Sequence, residues 1–252
     1  DRCRDLVAAL QEALDLPIYW GNRNWKPWLD DTVRQMSEDG VRHALAFVTS
    51  AFGSPPGCRR YRDSIAKSVE TLGPAAPRID KLPLYWDHPG FLEAVVDRTR
   101  TALREVPEGR LVFTAHSIPE SMASLCSYDA QLREASQRVA DAVGTNRWDL
   151  VYQSRSGPPS APWLGPDVGD HLESLAERGE KDVVVVPIGF AQDHMEVVWD
   201  LDTEARERAE GLGMRFTRAG TVGCHPAFVA MICELVEHPA ARSRSCPPSC
   251  CQ

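Results

Sequence analysis

The stretch DVVVVPIGF at residues 182–190 decides the fold that the sequence predicts. Its four consecutive valines are apolar and β-branched, which is typical of a strand buried on both faces of a sheet. Patterns with helical spacing stand on either side, DHLESLAERG at 170–179 and DHMEVVWDLDTEARERAEGLG at 193–213. A buried strand between two helices predicts a βαβ arrangement and hence a parallel sheet.

The same alternation of strands and helices runs along the whole chain. Further strands are predicted within LPIYWGNRNW (16–25), VRHALAFVTSAF (41–52), LVFTAHSIP (111–119) and WDLVYQS (148–154), with helices between them. We therefore expect an α/β protein with two doubly wound (Rossmann-like) parallel-sheet domains, 1–105 and 106–238, and a polar tail at 239–252. Because the chain opens at Asp1 directly in a helical pattern, we expect a fragment or processed chain whose first domain is incomplete.

Composition narrows the function classes. The chain has 252 residues, 43% hydrophobic and 25% charged, which is enough for a full core. Its formal net charge of −8 argues against general binding of nucleic acid, which needs basic patches. No apolar run approaches the length of a membrane span and no signal peptide is present, so a cytoplasmic location is predicted. The sequence gives no indication of the oligomeric state.

Two groups of polar residues follow predicted strands. His116 follows LVFTA at the carboxyl end of its strand, where open α/β sheets bind ligands, although a histidine satisfied within a loop is the alternative. Glu196, Asp200 and Glu204 lie four residues apart and share a helix face next to His194. Such a row is either a solvated acidic face or a path for a cation, since hard and borderline cations prefer oxygen and imidazole ligands.

Two other features have an open interpretation. The rigid loop QSRSGPPSAPWLGPDV (153–168) carries Trp163, which is either a core residue or an aromatic wall for a flat ligand. Three of the eight cysteines crowd the last seven residues, CPPSCCQ. Clustered cysteines of an intracellular chain favour a metal or iron–sulfur centre, with free thiols as the alternative.

Three segments together resemble the ferrochelatase family, whose members insert ferrous iron into porphyrins. They are FTAHSIP, YQSRSGPPSAPWLGPDV and VVVVPIGFAQDHMEVVWDLDTEA, supported by YWGNRNW and HPAFV. The resemblance implies a chelatase-type fold, an enzyme of haem biosynthesis, and ferrous iron and coproporphyrin III as substrates. A cobalt chelatase for corrinoids and a non-catalytic metal- or haem-binding protein are the alternatives.

The resemblance also assigns roles to individual residues. It implies that His116 and Glu196 are catalytic and bind the metal, and that Asp200 and Glu204 carry metal ions or protons. Trp163, Phe190 and His194 match positions in the pocket wall. Pro55 stands where many relatives have a tyrosine, so we expect Ser54 or Arg59 to compensate in the substrate pocket.

The cysteines acquire a specific interpretation from the same resemblance. Relatives hold a [2Fe–2S] cluster with one internal cysteine and three near the C-terminus, and Cys126, Cys246, Cys250 and Cys251 match that placement. A zinc ion with the same four ligands is the alternative.

Overall fold

Two parallel sheets organise the molecule. The computed structural model describes residues 2–158 and 160–239. A two-stranded sheet pairs β1 (His43–Ala46) with β2 (Arg78–Lys81). A four-stranded sheet has the order β4-β3-β5-β6 and contains β3 (Arg110–His116), β4 (Trp148–Gln153), β5 (Asp182–Val186) and β6 (Arg215–Arg218). Every strand pair is parallel, which confirms the predicted α/β class.

Helices connect the strands and cover both faces of the larger sheet. In the described part of the chain they are α1 (Arg2–Ala13), α2 (Leu29–Glu38), α3 (Arg60–Leu72), α4 (Pro89–Glu105), α5 (Glu120–Ala123), α6 (Tyr128–Val143), α7 (Val168–Glu177), α8 (Met195–Val197), α9 (Arg206–Gly211) and α10 (Pro226–Glu237). None of these helices is both long and apolar enough to cross a membrane.

The alternation of side chains along β3 and β5 creates two cores. Leu111, Phe113 and Val184 point into a large core that continues into the first half of the chain. Val112 and Val183 point to the opposite face, into a smaller core that includes residues of α7 and α9. The valine run of β5 is at most 1% exposed, which confirms the prediction of a strand buried on both faces.

Helices α4 and α10 start with the same motif, HPGF at 88–91 and HPAF at 225–228, and they pack against each other. Each histidine caps its own helix, since its Nδ1 accepts a hydrogen bond from the backbone N–H two residues on. Each Nε2 faces a carboxylate of the other helix: that of His88 lies 3.5 Å from Glu234, and that of His225 lies 3.3 Å from Asp97. The helices thus run antiparallel and join the two predicted domains, whose boundary near residue 105 stays a prediction.

Two sequence expectations need correction. Residues 16–25 do not form a strand. Their β-structure is limited to a single bridge between Asn22 and Trp28. The Trp20 carbonyl accepts a hydrogen bond from Thr32 Oγ1 and is therefore not available to a neighbouring strand. The expected single α-helix after β5 contains a π-helical segment, Val198–Ala205, between α8 and α9. The spacing of apolar residues does not distinguish an α-helix from a π-helix. Short π-helical segments within α-helices are frequent at functional sites.

Candidate functional site

The carboxyl ends of β3, β4 and β5 bring the candidate residues to one edge of the sheet. His116 ends β3, and it is paired in register with Gln153, which ends β4. Phe190 and His194 lie in the segment that follows β5, and Glu196 lies in α8. The topology therefore places these side chains at the edge where parallel α/β sheets bind ligands.

Backbone contacts fix the orientation of His116. Its Nδ1 lies 2.5 Å from the carbonyl oxygen of Ser117, which can only accept a hydrogen bond, so Nδ1 carries the proton. The hydroxyl of Tyr128 donates to the His116 carbonyl at 3.1 Å. In the neutral ring this leaves the lone pair on the other nitrogen, Nε2, which lies 3.9 Å from Oε2 of Glu196. His116 is thus prepared to accept a proton or to bind a metal ion.

His194 approaches the same oxygen of Glu196 as His116 does. Its Nδ1 is 3.9 Å from Glu196 Oε2, and its ring makes an edge-to-face contact with Phe190 at 5.2 Å between centroids. Partial burial lowers the pKa of His194, and the Glu196 carboxylate opposes that change. Separations of 3.9 Å are too long for direct hydrogen bonds, so the three groups form an open cluster in which both imidazoles face Glu196 Oε2.

Asp200 lies one helical turn further and is held by the end of β4. Gln153 Nε2 donates to Asp200 Oδ2 at 3.2 Å, and Ser154 Oγ donates to the same oxygen. Glu204, the last acid of the row, is exposed. The row is thus graded: Asp200 is fixed by two donors, whereas Glu204 points into solvent.

A buried ion pair anchors the segment that carries the acids. Arg218, the last residue of β6, binds Asp193 at 3.0 Å and Asp202 at 2.6 and 2.8 Å. The Asp193 side chain is 2% exposed, so its charge is compensated inside the protein. Arg218 thus connects the residue before His194 and a residue of the π-helical segment to the end of β6.

Gly189 lets the loop after β5 approach β3 closely. A Cβ atom at this position would lie 2.6 Å from the Cβ of Ala115, and the Gly189 N–H donates to the Thr114 carbonyl at 3.0 Å. This contact places Phe190 and the following residues directly beside the end of β3. Only a residue without a side chain permits it.

Trp163 borders the segment that follows His116. Leu164 N–H donates to the Ile118 carbonyl at 3.0 Å, and Ser117 Oγ donates to the Leu164 carbonyl at 2.7 Å. Trp163 itself is half-buried and forms a bridge with Pro119. Trp163 is therefore not a fully buried core residue, and its expected place in the pocket wall stays a prediction.

Ser54 has a local structural task. It is 4% exposed, and its hydroxyl oxygen accepts a hydrogen bond from Gly57 N–H at 3.1 Å at the start of a π-helical turn, Pro55–Arg59. A serine followed by proline is a typical start of a helix. Its expected part in the substrate pocket stays a prediction.

One of the four expected cluster ligands lies within the described residues and three lie outside them. Cys126 is half-buried after α5, its Sγ donates to the Met122 carbonyl at 3.4 Å, and burial raises the pKa of the thiol. Cys246, Cys250 and Cys251 lie outside the described residues. Within residues 2–158 and 160–239, no group of three or more His, Cys, Asp or Glu side chains is arranged to hold a metal ion.

The residues that support the acids are not among those predicted from the sequence. Gln153, Ser154 and Arg218 contact Asp200 or its neighbours across 16 to 47 positions of sequence. Gln153 and Ser154 stand at the end of a predicted strand, and this position was the one feature of the sequence that could have indicated their place in the site.

Fold and site together define an α/β protein of the chelatase type, in which imidazole and carboxylate groups lie together at the carboxyl ends of the strands. SirB from Bacillus subtilis with Fe³⁺ shares the fold, with a TM-score of 0.69, 12% identity and coverage of 96% of this chain and 90% of that chain. The ferrochelatase family model matches residues 1–240. The chain belongs to the ferrochelatase family.

Named relatives cover nearly all of the chain. A ferrochelatase of Rhodopirellula baltica is 46% identical over 98% of this chain and 77% of its own length. A coproporphyrin III ferrochelatase of Mycolicibacterium smegmatis is 47% identical over 93% of this chain and 73% of its own length.

Proposed function

We propose that this protein inserts ferrous iron into a porphyrin, with coproporphyrin III as the natural substrate. The observation that carries the proposal is the approach of both His116 and His194 to within 3.9 Å of Glu196 Oε2, in a chain of the ferrochelatase family. The M. smegmatis relative, a coproporphyrin III ferrochelatase, supports the choice of porphyrin.

The reaction requires two proton transfers. Ferrous iron replaces the two N–H protons of the free porphyrin, so the products are the iron porphyrin and two protons. His116 accepts a pyrrole proton at Nε2, because its Nδ1 proton is committed to the Ser117 carbonyl. Glu196 provides a carboxylate 3.9 Å away that can take the proton onward or bind the metal ion.

The remaining site residues serve binding and delivery. The rings of Trp163, Phe190 and His194 form walls for a flat macrocycle, and binding between rigid walls can bend it and expose its nitrogen lone pairs. Asp200 and Glu204 provide oxygen ligands that lead from solvent toward Glu196.

Metal insertion tests the proposal. The purified chain is given ferrous iron without oxygen, with coproporphyrin III or protoporphyrin IX, and the porphyrin absorption bands are followed. We expect turnover with coproporphyrin III and a lower kcat/KM with protoporphyrin IX. Tight porphyrin binding without turnover would instead identify a binding protein, and insertion of cobalt into a corrinoid precursor alone would identify a cobalt chelatase.

We also propose that Cys126, Cys246, Cys250 and Cys251 bind a [2Fe–2S] cluster, for which four thiolates suffice. The half-buried Cys126 thiol and the three cysteines of the tail support this ligand set. Protein purified without oxygen should contain two irons and two sulfides and lose both in the Cys126→Ala variant. Bound zinc, or four thiols open to alkylation, would contradict the cluster. The cytoplasmic location stays a prediction.

A further inference from the structure

A cleft of about 220 Å³ lies between α4, the start of α9 and β6. Arg98, Thr101 and Glu105 line it from one face of α4, since they are spaced by three and four residues. Arg206 lines it from α9, and Arg218 lines it from the end of β6. A chain with a formal net charge of −8 therefore has a cleft lined by three arginines and one glutamate.

One of the three arginines is already neutralised by carboxylates. Arg218 binds Asp193 at 3.0 Å and Asp202 at 2.6 and 2.8 Å, so its charge and most of its donors are used within the protein. The positive charge that the cleft offers to a ligand must therefore come from Arg98 and Arg206.

Arg206 is held mainly by an aromatic ring. Its guanidinium carbon lies 4.9 Å from the centre of the Phe216 ring, and its Nη1 lies 3.5 Å from the Phe216 carbonyl oxygen. Glu210 Oε1 is 3.9 Å away on a side chain that is 59% exposed, so this ion pair neutralises little of the charge. A guanidinium stacked on a ring keeps N–H groups at its edge available for an anion.

Arg98 is ordered without an acceptor. No hydrogen bond or ion pair joins it to another residue that the structure describes, and its Nε is buried. The side chain lies against Gly220, where an added Cβ would be 3.6 Å from Arg98 Cδ and 3.9 Å from Nε. A guanidinium has five N–H donors, and leaving them unpaired inside a protein costs free energy. An arginine in this situation suits an acceptor that comes from outside the chain.

We propose that this cleft binds a phosphate group, with Arg98 and Arg206 as donors. The two arginines stand on different helices, so a tetrahedral group with several oxygens can accept from both, whereas a carboxylate offers two oxygens in one plane. Their combined charge also matches a phosphate dianion. Glu105, whose Oε2 accepts a hydrogen bond from Thr217 Oγ1 at 3.2 Å, repels the anion and limits its affinity.

The bound group is either free inorganic phosphate or the phosphate of a small monoester, and the two share the same recognition chemistry. Binding requires neither a porphyrin nor a metal ion. The proposal can therefore be tested independently of iron insertion.

Calorimetric titration of the chain with inorganic phosphate and with glycerol 3-phosphate, at constant ionic strength, tests the proposal. We expect saturable binding with a dissociation constant of about 1 mM or lower. The compound that binds more tightly identifies the source of the phosphate. Malonate, a dicarboxylate of similar charge, should bind at least about tenfold more weakly.

Variants of Arg98 locate the site. We expect Arg98→Ala to weaken phosphate binding about tenfold, as for the loss of a charge-assisted hydrogen bond, and Arg98→Lys to retain part of the affinity because it retains the charge. Arg104→Ala is the matched control, since Arg104 is exposed on the same helix outside the cleft and its removal changes the net charge equally. Without phosphate, Tm of Arg98→Ala should not fall, because Arg98 has no partner among the described residues.

Glu105→Gln should act in the opposite direction. It removes the negative charge from the cleft and keeps an acceptor for Thr217, so we expect about threefold tighter phosphate binding. Glu108→Gln, exposed and outside the cleft, is its control. The proposal would be overturned if neither phosphate compound showed saturable binding, if Arg98→Ala and Arg104→Ala bound equally well, or if malonate bound as tightly as phosphate.

Discussion

His88 and His225 occupy equivalent positions at the starts of two antiparallel helices, and each faces a carboxylate nine residues into the other helix. The two helices approach each other closely at Gly90, where a Cβ atom would be 2.6 Å from the Ala227 carbonyl oxygen. The two helices therefore complete each other's ends.

Loss of one capping histidine should destabilise the fold. We expect His88→Ala to lower the free energy of unfolding by about 1–2 kcal/mol, because the Gly90 N–H loses its acceptor and a buried ring is removed. His88→Asn should recover part of this loss. Urea denaturation gives the values, and Glu234→Gln is the control, since Glu234 is 58% exposed and its pair contributes little. Equal effects of the alanine and asparagine variants would contradict capping.

Catalysis should depend on His116 and Glu196 separately. We expect His116→Ala and Glu196→Gln each to reduce iron insertion by roughly 100-fold or more, because each removes a proton acceptor beside the macrocycle. Thermal unfolding should be nearly unchanged, since both side chains are partly exposed. His43→Gln, on the distant strand β1, is the matched control. Near-normal turnover of His116→Ala would refute the assignment.

The two outer acids should differ in their effect. We expect Asp200→Asn to raise KM for iron about tenfold and Glu204→Gln to raise it less, because Asp200 is held by two donors and Glu204 is exposed. Turnover at limiting and at saturating iron measures the difference. Glu207→Gln, also exposed in the same helical stretch, is the control. An unchanged iron dependence in both variants would show that Asp200 and Glu204 form a solvated acidic face with no part in iron delivery.

Asp149 should protect the fold against acid. Burial raises the pKa of this carboxyl, but the nearby His171 imidazole and the hydrogen bonds from Arg110 outweigh burial and hold the pKa well below its usual range. The ionised carboxylate therefore contributes stability that is complete above the unfolded-state value of about 3.9 and is lost as pH falls below it. We expect Asp149→Asn to lower Tm at pH 7 and to show a smaller further loss between about pH 5 and pH 2.

Asp15→Asn is the control for this experiment, because Asp15 is exposed near the end of α1. Parallel Tm profiles of Asp149→Asn and the natural chain over the acid range would contradict the linkage.

The close approach at Gly189 should be intolerant of a side chain. Gly189→Ala would place a methyl group 2.6 Å from the Ala115 Cβ, so we expect a destabilisation of about 1–3 kcal/mol and a loss of insertion activity as Phe190 and His194 move. Gly211→Ala, where a Cβ meets nothing within 4 Å, should be neutral or stabilising. Chemical denaturation of the two variants decides the matter.

The sequence predicted those parts of the fold that depend on local patterns. The valine run of β5, the periodic helix α4 and the position of His116 at a strand end follow from apolar spacing and from the rules of parallel sheets. The stretch at 16–25 has the composition of a strand, but it finds no partner strand and its carbonyls bond to α2.

The finer geometry of the site depends on contacts that no local pattern contains. Spacing by four residues places Glu196, Asp200 and Glu204 together in either an α- or a π-helix, so it does not predict the π-helical segment. The support of Asp200 by Ser154 and the anchoring of Asp193 by Arg218 join separate elements of the fold. Ser54 has a capping signature in its own sequence, a serine before two prolines, which a prediction based on the missing tyrosine overlooked.

The core on one side of the larger sheet runs without interruption from α1 through α10 and α4 to β3. Because of this continuity, ligand binding at the strand ends should change the stability of distant segments as well. A ligand at 100 times its dissociation constant stabilises the folded state by about 2.7 kcal/mol. The free energy of opening rises by the same amount for every segment that opens only when the whole molecule unfolds. Porphyrin binding should therefore slow hydrogen exchange also at amides of α1 and α10. These helices are distant in sequence from His116 and Glu196 but belong to the same core and are expected to unfold with it.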